Sequence, residues 1–159
     1  MESKITHLDK QGNPTMVDVS AKQVTHRTAT AQSIVALPPE VLQLLADGEL
    51  QSKKGAVFQT AIIAGIMAAK KTGDLIPLCH PLGMDNCMIN ISLNEEDEVV
   101  INCTASITAK TGIEMEALVG ASVAALTVYD MCKALSHDIV IKETKLISKT
   151  GGKRDFKRT

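Results

Sequence analysis

The sequence predicts an α+β fold of the ferredoxin-like kind, an antiparallel four-stranded sheet packed against helices, and three observations predict it. Apolar residues alternate with polar ones in two adjacent segments, Met88 to Leu93 and Val99 to Ile107, joined by a short acidic turn at Asn94 to Glu98. Ala-rich segments with helical spacing stand on either side of this hairpin. An extended, β-branched segment lies near each end, so the order is strand, split helix, two strands, helix, strand. A chain of 159 residues, 45% hydrophobic and 22% charged, is long enough to bury one sizeable core.

Residues 1–22 read as an N-terminal arm. Ser3 to Lys22 has little periodicity, Gly12, Asn13 and Pro14 mark a turn, and such a segment orders only against something else. Residues 23–159 read as a single domain. Val24 to Leu37 is strand-like and closed by Pro38 and Pro39, and Val41, Leu42, Leu44 and Leu45 suggest a short helix ending near Gly48. After Lys53, Lys54 and Gly55, a helix is expected from about Ala56 to Lys71 with Gly73 as its C-terminal cap. Leu75 to Leu82 cannot continue it, because Pro77 and Pro81 fix their own φ and push the preceding residues out of the helical region. That stiff loop presents Cys79 and His80. Beyond the hairpin, Thr111 and Glu114 have capping-box spacing for a helix reaching about Leu135, and Ile139 to Ser148 is the last strand.

The long helix is apolar on every side from Ala117 to Leu126, and one sheet covers only one side of a helix, so a second subunit is expected over the rest. Glu116, Asp130 and Lys133 share an arc of about 100° on it, with Glu114 in the first turn. Glu116 and Asp130 lie about 20 Å apart along its axis, too far for one small substrate unless a neighbouring chain closes the gap. Taken alone, Asp130 and Lys133 make an ordinary surface pair.

Composition excludes several classes. A formal net charge of −1, one Tyr, two Phe and no Trp leave neither the field nor the stacking surfaces for nucleic acid. The longest apolar run falls short of a membrane span, and the polar start predicts no secretory leader. Cys79, Cys87, Cys103 and Cys132 show no paired spacing, which predicts no zinc site and a reducing, cytoplasmic setting. Lys-Thr-Gly recurs at Lys71, Lys110 and Lys149, but without shared flanks it reads as turn chemistry rather than a repeat. No glycine-rich phosphate loop is present, so any phosphate falls to lysines, among them Lys53, Lys54, Lys133, Lys149 and Lys153.

Four segments carry a resemblance: Met-Val-Asp-Val-Ser (Met16 to Ser20), Ile-Pro-Leu-Cys-His-Pro-Leu (Ile76 to Leu82), Lys-Thr-Gly-Ile-Glu-Met-Glu-Ala-Leu (Lys110 to Leu118) and Ala-Ala-Leu-Thr-Val-Tyr-Asp-Met-Cys-Lys (Ala124 to Lys133). Together, over Thr6 to Lys157, the chain resembles the cyclic pyranopterin monophosphate synthase (MoaC) family of molybdenum cofactor biosynthesis. The resemblance implies a lyase that converts a GTP-derived cyclo-dihydro nucleoside triphosphate to cyclic pyranopterin monophosphate and releases pyrophosphate. It implies a ferredoxin-like subunit in a homohexamer, a trimer of dimers, with active sites between subunits. By position, Asp130 is the implied catalytic acid or base, while Leu78, Cys79, His80, Met115 and Glu116 line the substrate. Lys54, Lys133, Lys149, Glu114 and Asp18 match polar residues of the same pocket, with Lys54 and Lys133 suited to the ring chemistry. No resident cofactor is implied, although Mg²⁺ can accompany the triphosphate held by His80 and Lys149. One departure is Ala56, where relatives commonly carry Asp as a partner for the lysine. The rival readings are a non-catalytic oligomer that binds an anionic nucleotide and an RNA-binding ferredoxin-like module, the latter opposed by the shortage of aromatics.

Overall fold

The computed structural model describes residues 6–159. Strand β1 (Thr25–Ala36) leads to helix α1 (Pro39–Leu42), three short strands β2 (Leu45–Ala46), β3 (Glu49–Ser52) and β4 (Gly55–Ala56), helix α2 (Val57–Ala69) and helix α3 (Thr72–Leu75). Then come β5 (Asn86–Leu93), β6 (Val99–Ala109), α4 (Glu114–Cys132), β7 (Val140–Thr150) and β8 (Phe156–Lys157). The fold is α+β, with the main sheet in the order β5-β6-β1-β7-β8 and antiparallel at every pairing.

This sheet has five strands, not the expected four. Gly151, at φ 88°, turns the chain after β7, and its N–H donates to Asp155 Oδ1 at 3.1 Å. The tail therefore folds back, and Lys157 and Phe156 pair with Ser148 and Lys149. Residues 45–52 are a second correction. The expected helix stops at Leu42, and Asp47 and Gly48, at φ 51° and 75°, make the tight turn of a β-hairpin. Gly73 does not cap α2 but sits inside α3, where a Cβ would come within 3.1 Å of Pro81 Cα, so its smallness lets the Cys-His loop pack against the helix. Ile113, not Thr111, holds the N-cap of α4, and no side chain caps that end.

The alternation seen in sequence decides which face is buried. Ala29, Ala31, Ser33 and Val35 of β1 and Val99, Ile101, Cys103 and Ala105 of β6 point into the core, where α2 and α4 lie across the sheet. The opposite face carries polar ladders such as Thr30 to Thr104 and Gln32 to Asn102. Helix α4 is long and apolar enough to cross a membrane by length and composition, yet 56% of that stretch is buried inside the protein as a core helix. It still leaves Leu126 exposed, as α2 leaves Ile63 and Met67.

The two helices meet at glycines. A Cβ on Gly65 would lie 2.7 Å from the Gly120 carbonyl oxygen and 2.4 Å from Ile89, and one on Gly120 would lie 2.6 Å from Cys103 Sγ. Backbone cannot yield as a flexible side chain does. Gly65→Ala is accordingly expected to cost ~1–3 kcal/mol through overpacking, read as a lower denaturant midpoint, and an unchanged midpoint would contradict this packing.

Candidate active site

Two groups of candidate site side chains stand at opposite ends of α4. At its N-terminal end a cavity of about 500 Å³ lies beneath the arm. Asp18 of the arm, Leu78, Cys79 and His80 of the stiff loop, and Glu114, Met115 and Glu116 of α4 all line it. His80 joins the pieces, because its Nε2–H donates to the Val17 carbonyl at 2.7 Å, and a carbonyl can only accept. Lys110 Nζ donates to the Ser20 carbonyl at 3.1 Å, a second tie on the arm. Arm residues 1–5 lie outside the described part.

An adjoining basin of about 530 Å³ shares Glu114 with this cavity and is lined by Lys149, where Lys149 Nζ lies 3.0 Å from Glu114 Oε1. Lys22 and Lys153 border both spaces, and Arg27 borders the basin. The resemblance did not single out Lys22, Arg27 or Lys153. Lys22 lies in the irregular arm and Arg27 on β1, where nothing local in the sequence marks either.

At the C-terminal end Asp130 sits between two lysines. Lys54 Nζ is 3.0 Å from Oδ2 and Lys133 Nζ is 3.0 Å from Oδ1. All three side chains are about half exposed, at 52%, 49% and 54% for Lys54, Lys133 and Asp130. A carboxylate near a helix C-terminus is opposed by the dipole. Here hydrogen bonds from Lys133 and Lys54 and their charges hold the Asp130 carboxyl below its ordinary range. An apolar hollow of about 310 Å³, with Leu44, Met131 and Leu135 in its wall, opens beside Lys54. Ala56 stands at the N-cap of α2, so Lys54 finds its acid in Asp130.

Within one chain the two groups do not meet. Glu116 and Asp130 are 14 positions apart on a continuous helix, about 21 Å along its axis. The loop presented by Pro77 and Pro81 is therefore assembled with Glu114 to Glu116, but not with Lys54, Asp130 and Lys133.

The chain is similar to known proteins over nearly its whole length. Residues 16–152 match the model of the MoaC family. A cyclic pyranopterin monophosphate synthase of Xanthomonas axonopodis pv. citri is 56% identical over 154 residues, which is 97% of this chain and 93% of that protein. The chain belongs to the MoaC family. Its counterpart in Xanthomonas campestris pv. campestris is 57% identical over the same coverage. A molybdenum cofactor biosynthesis bifunctional protein of Synechocystis is 54% identical over 97% of this chain but only 46% of its own length.

In this MoaC-family chain Glu116 and Asp130, at the two ends of α4, are shifted in opposite directions. Glu116 is only 4% exposed, and burial raises its carboxyl above the ordinary 4.5, with Glu114 nearby adding to the rise. Burial also raises the Cys79 thiol, helped by Glu116, so the thiol stays protonated at neutral pH. Asp18 is held low by the backbone N–H of Ser20. A carboxyl with a raised folded pKa ionises first in the unfolded chain, so it costs stability as pH rises through the ordinary carboxylate range. Glu116→Gln removes that cost. Its melting temperature is expected to exceed the parent's at about pH 7 and to converge on it at about pH 4, and an equal offset at both values would refute the buried-acid account.

The structure adds one arrangement that cysteine spacing concealed. The β5–β6 hairpin brings Cys87 Sγ to 3.8 Å from Cys103 Sγ, although the thiols are sixteen residues apart. Both are free, as are Cys79 and Cys132.

Proposed function

We propose that this protein is a cyclic pyranopterin monophosphate synthase of molybdenum cofactor biosynthesis, converting the cyclised GTP-derived triphosphate to cyclic pyranopterin monophosphate and releasing pyrophosphate as a lyase. The carrying observation is identity of 56% across 97% of the chain to a synthase of that name. The chemistry agrees with it. Opening the purine five-membered ring and building a six-membered one requires protons to leave and arrive at ring nitrogens, and Lys54 and Lys133 stand on one carboxylate as paired proton carriers. Asp130, ionised well below neutrality, serves as a base and as the group that aims both ammonium groups, not as a resting proton donor. The ribose hydroxyl then attacks the nearest phosphorus, forming the cyclic phosphate as pyrophosphate leaves. His80, Lys149 and the neighbouring Lys22 and Arg27 suit the triphosphate, and cations there stabilise the departing charge. Mg²⁺ would travel with the phosphates.

The active site is a shared one, in which the Lys54, Asp130 and Lys133 end of one subunit faces the His80 and Glu116 end of another. The 21 Å separation along α4 and the exposed Ile63, Met67 and Leu126 on the helices favour this assembly, with a homohexamer built as a trimer of dimers. The order β5-β6-β1-β7 among the long strands supports a ferredoxin-like core, with residues 1–22 as an arm and 23–159 as the catalytic domain. Four free thiols suit the cytoplasm.

The test is turnover. Purified protein supplied with the cyclised GTP intermediate is expected to release pyrophosphate and the cyclic phosphate. Return of the intermediate unchanged would favour a nucleotide-binding oligomer and overturn the assignment.

A further inference from the structure

Helix α2 starts without a cap of its own. Ala56 is extended at the N-cap, at φ −70° and ψ 115°, and its side chain offers no acceptor to the first turn. The second and third helical residues turn instead to Glu49 on β3. Phe58 N–H donates to Glu49 Oε1 at 2.7 Å and Gln59 N–H to Oε2 at 3.0 Å, while Oε1 also accepts from Leu50 N–H at 2.7 Å. Those two helical amides are the ones a capping side chain at the N-cap takes. The cap therefore comes from seven residues upstream, across a hairpin.

Lys54 rides on that hairpin. Gln51 and Ser52 of β3 pair with Ala56 and Gly55 of β4. Ser52 Oγ accepts from Lys54 N–H at 3.1 Å and donates to the Gly55 carbonyl at 3.2 Å, and Gly55 takes the φ of 109° that closes the turn. The hairpin is thus stiff within itself. Its orientation toward α4 is a separate matter, since the buried Leu50 anchors its root through apolar contact, which is non-directional. The Glu49 carboxylate supplies the directional tie, pinning β3 to the start of α2, and α2 packs along α4, where Asp130 lies. The carboxylate reaches two backbone amides of the helix, so the tie is short and directional.

We infer that Glu49 is a positioning residue for Lys54: by capping α2 from β3 it orients the hairpin so that the Lys54 ammonium stands 3.0 Å from Asp130. This rests on the reading of Lys54 as a lysine of the ring chemistry. Glu49 itself acts through the backbone and needs no contact with substrate.

The experiment compares the assembled parent, Glu49→Ala, Glu49→Ala combined with Ala56→Ser, and Lys54→Ala, each given the cyclised triphosphate well below its melting temperature. Misplacement of a catalytic group by a fraction of an ångström is expected to lower kcat of Glu49→Ala roughly tenfold, with KM within about twofold. Ala56→Ser adds a neutral hydroxyl acceptor for the same amides and should restore most of the lost kcat. A purely structural cap would lower the melting temperature and leave kcat intact. That result, or a rescue of melting temperature without rescue of kcat, overturns the inference while an inactive Lys54→Ala leaves the site assignment standing. A fully active Lys54→Ala overturns the site assignment, and this inference with it.

Discussion

Lys54→Ala should lose turnover by about 10²–10⁴-fold, the range that general acid–base groups contribute, with the loss in kcat rather than KM. Asp130→Asn should fall into the same range by a different route. It keeps size and exposure but removes the charge on which both ammonium groups converge, each at 3.0 Å. Lys54 and Lys133 are then free to take separate rotamers. Because these side chains are about half exposed, circular dichroism and the melting temperature should barely move. Full turnover by both variants in a steady-state pyrophosphate assay would remove this end of α4 from the mechanism.

Two inactive variants should make an active mixture. Lys54→Ala damages the C-terminal group and His80→Ala the N-terminal group, and on one chain these groups are held apart by the length of α4. If each active site draws one group from each of two subunits, random co-assembly leaves about a quarter of the sites with two intact halves. Co-expressed, differently tagged subunits purified as mixed oligomers should therefore recover activity toward about a quarter of the parent's, far above either variant alone. Activity no higher than that of the separate variants would show that a site is completed within one chain.

The strands that matter most were legible because their signal is long. β5 and β6 show an apolar–polar alternation that decides which face meets α2 and α4, while β1 was legible as an extended segment from its small and β-branched residues. The stiffness of the Cys-His loop was equally plain, since proline acts on its own backbone and its neighbour's. The β2–β3–β4 hairpins were not, because strands of two to four residues carry too few positions for a period to show. Asp47-Gly48 was the available signal there. Thr111 and Glu114 had the spacing of a capping box, yet Glu114 turns to Lys149, a partner 35 residues away whose charge outcompetes a local backbone bond. The fifth strand depended on Gly151 reversing the chain, which residue periodicity does not report.

The amino-acid order by itself determined the secondary-structure periods, the rigid presentation of Cys79 and His80, the apolar character of α4 and the inventory of lysines and acids, because each is a property of neighbours along the backbone. Tertiary structure alone decided which of them meet: Asp130 with Lys54 across 76 residues, His80 with the arm across 63, and Glu49 with the start of α2. The physical reason is range. Steric and hydrogen-bond preferences of the chain act within a few residues, whereas the placing of charges around a substrate follows from how whole elements bury their apolar faces against one another.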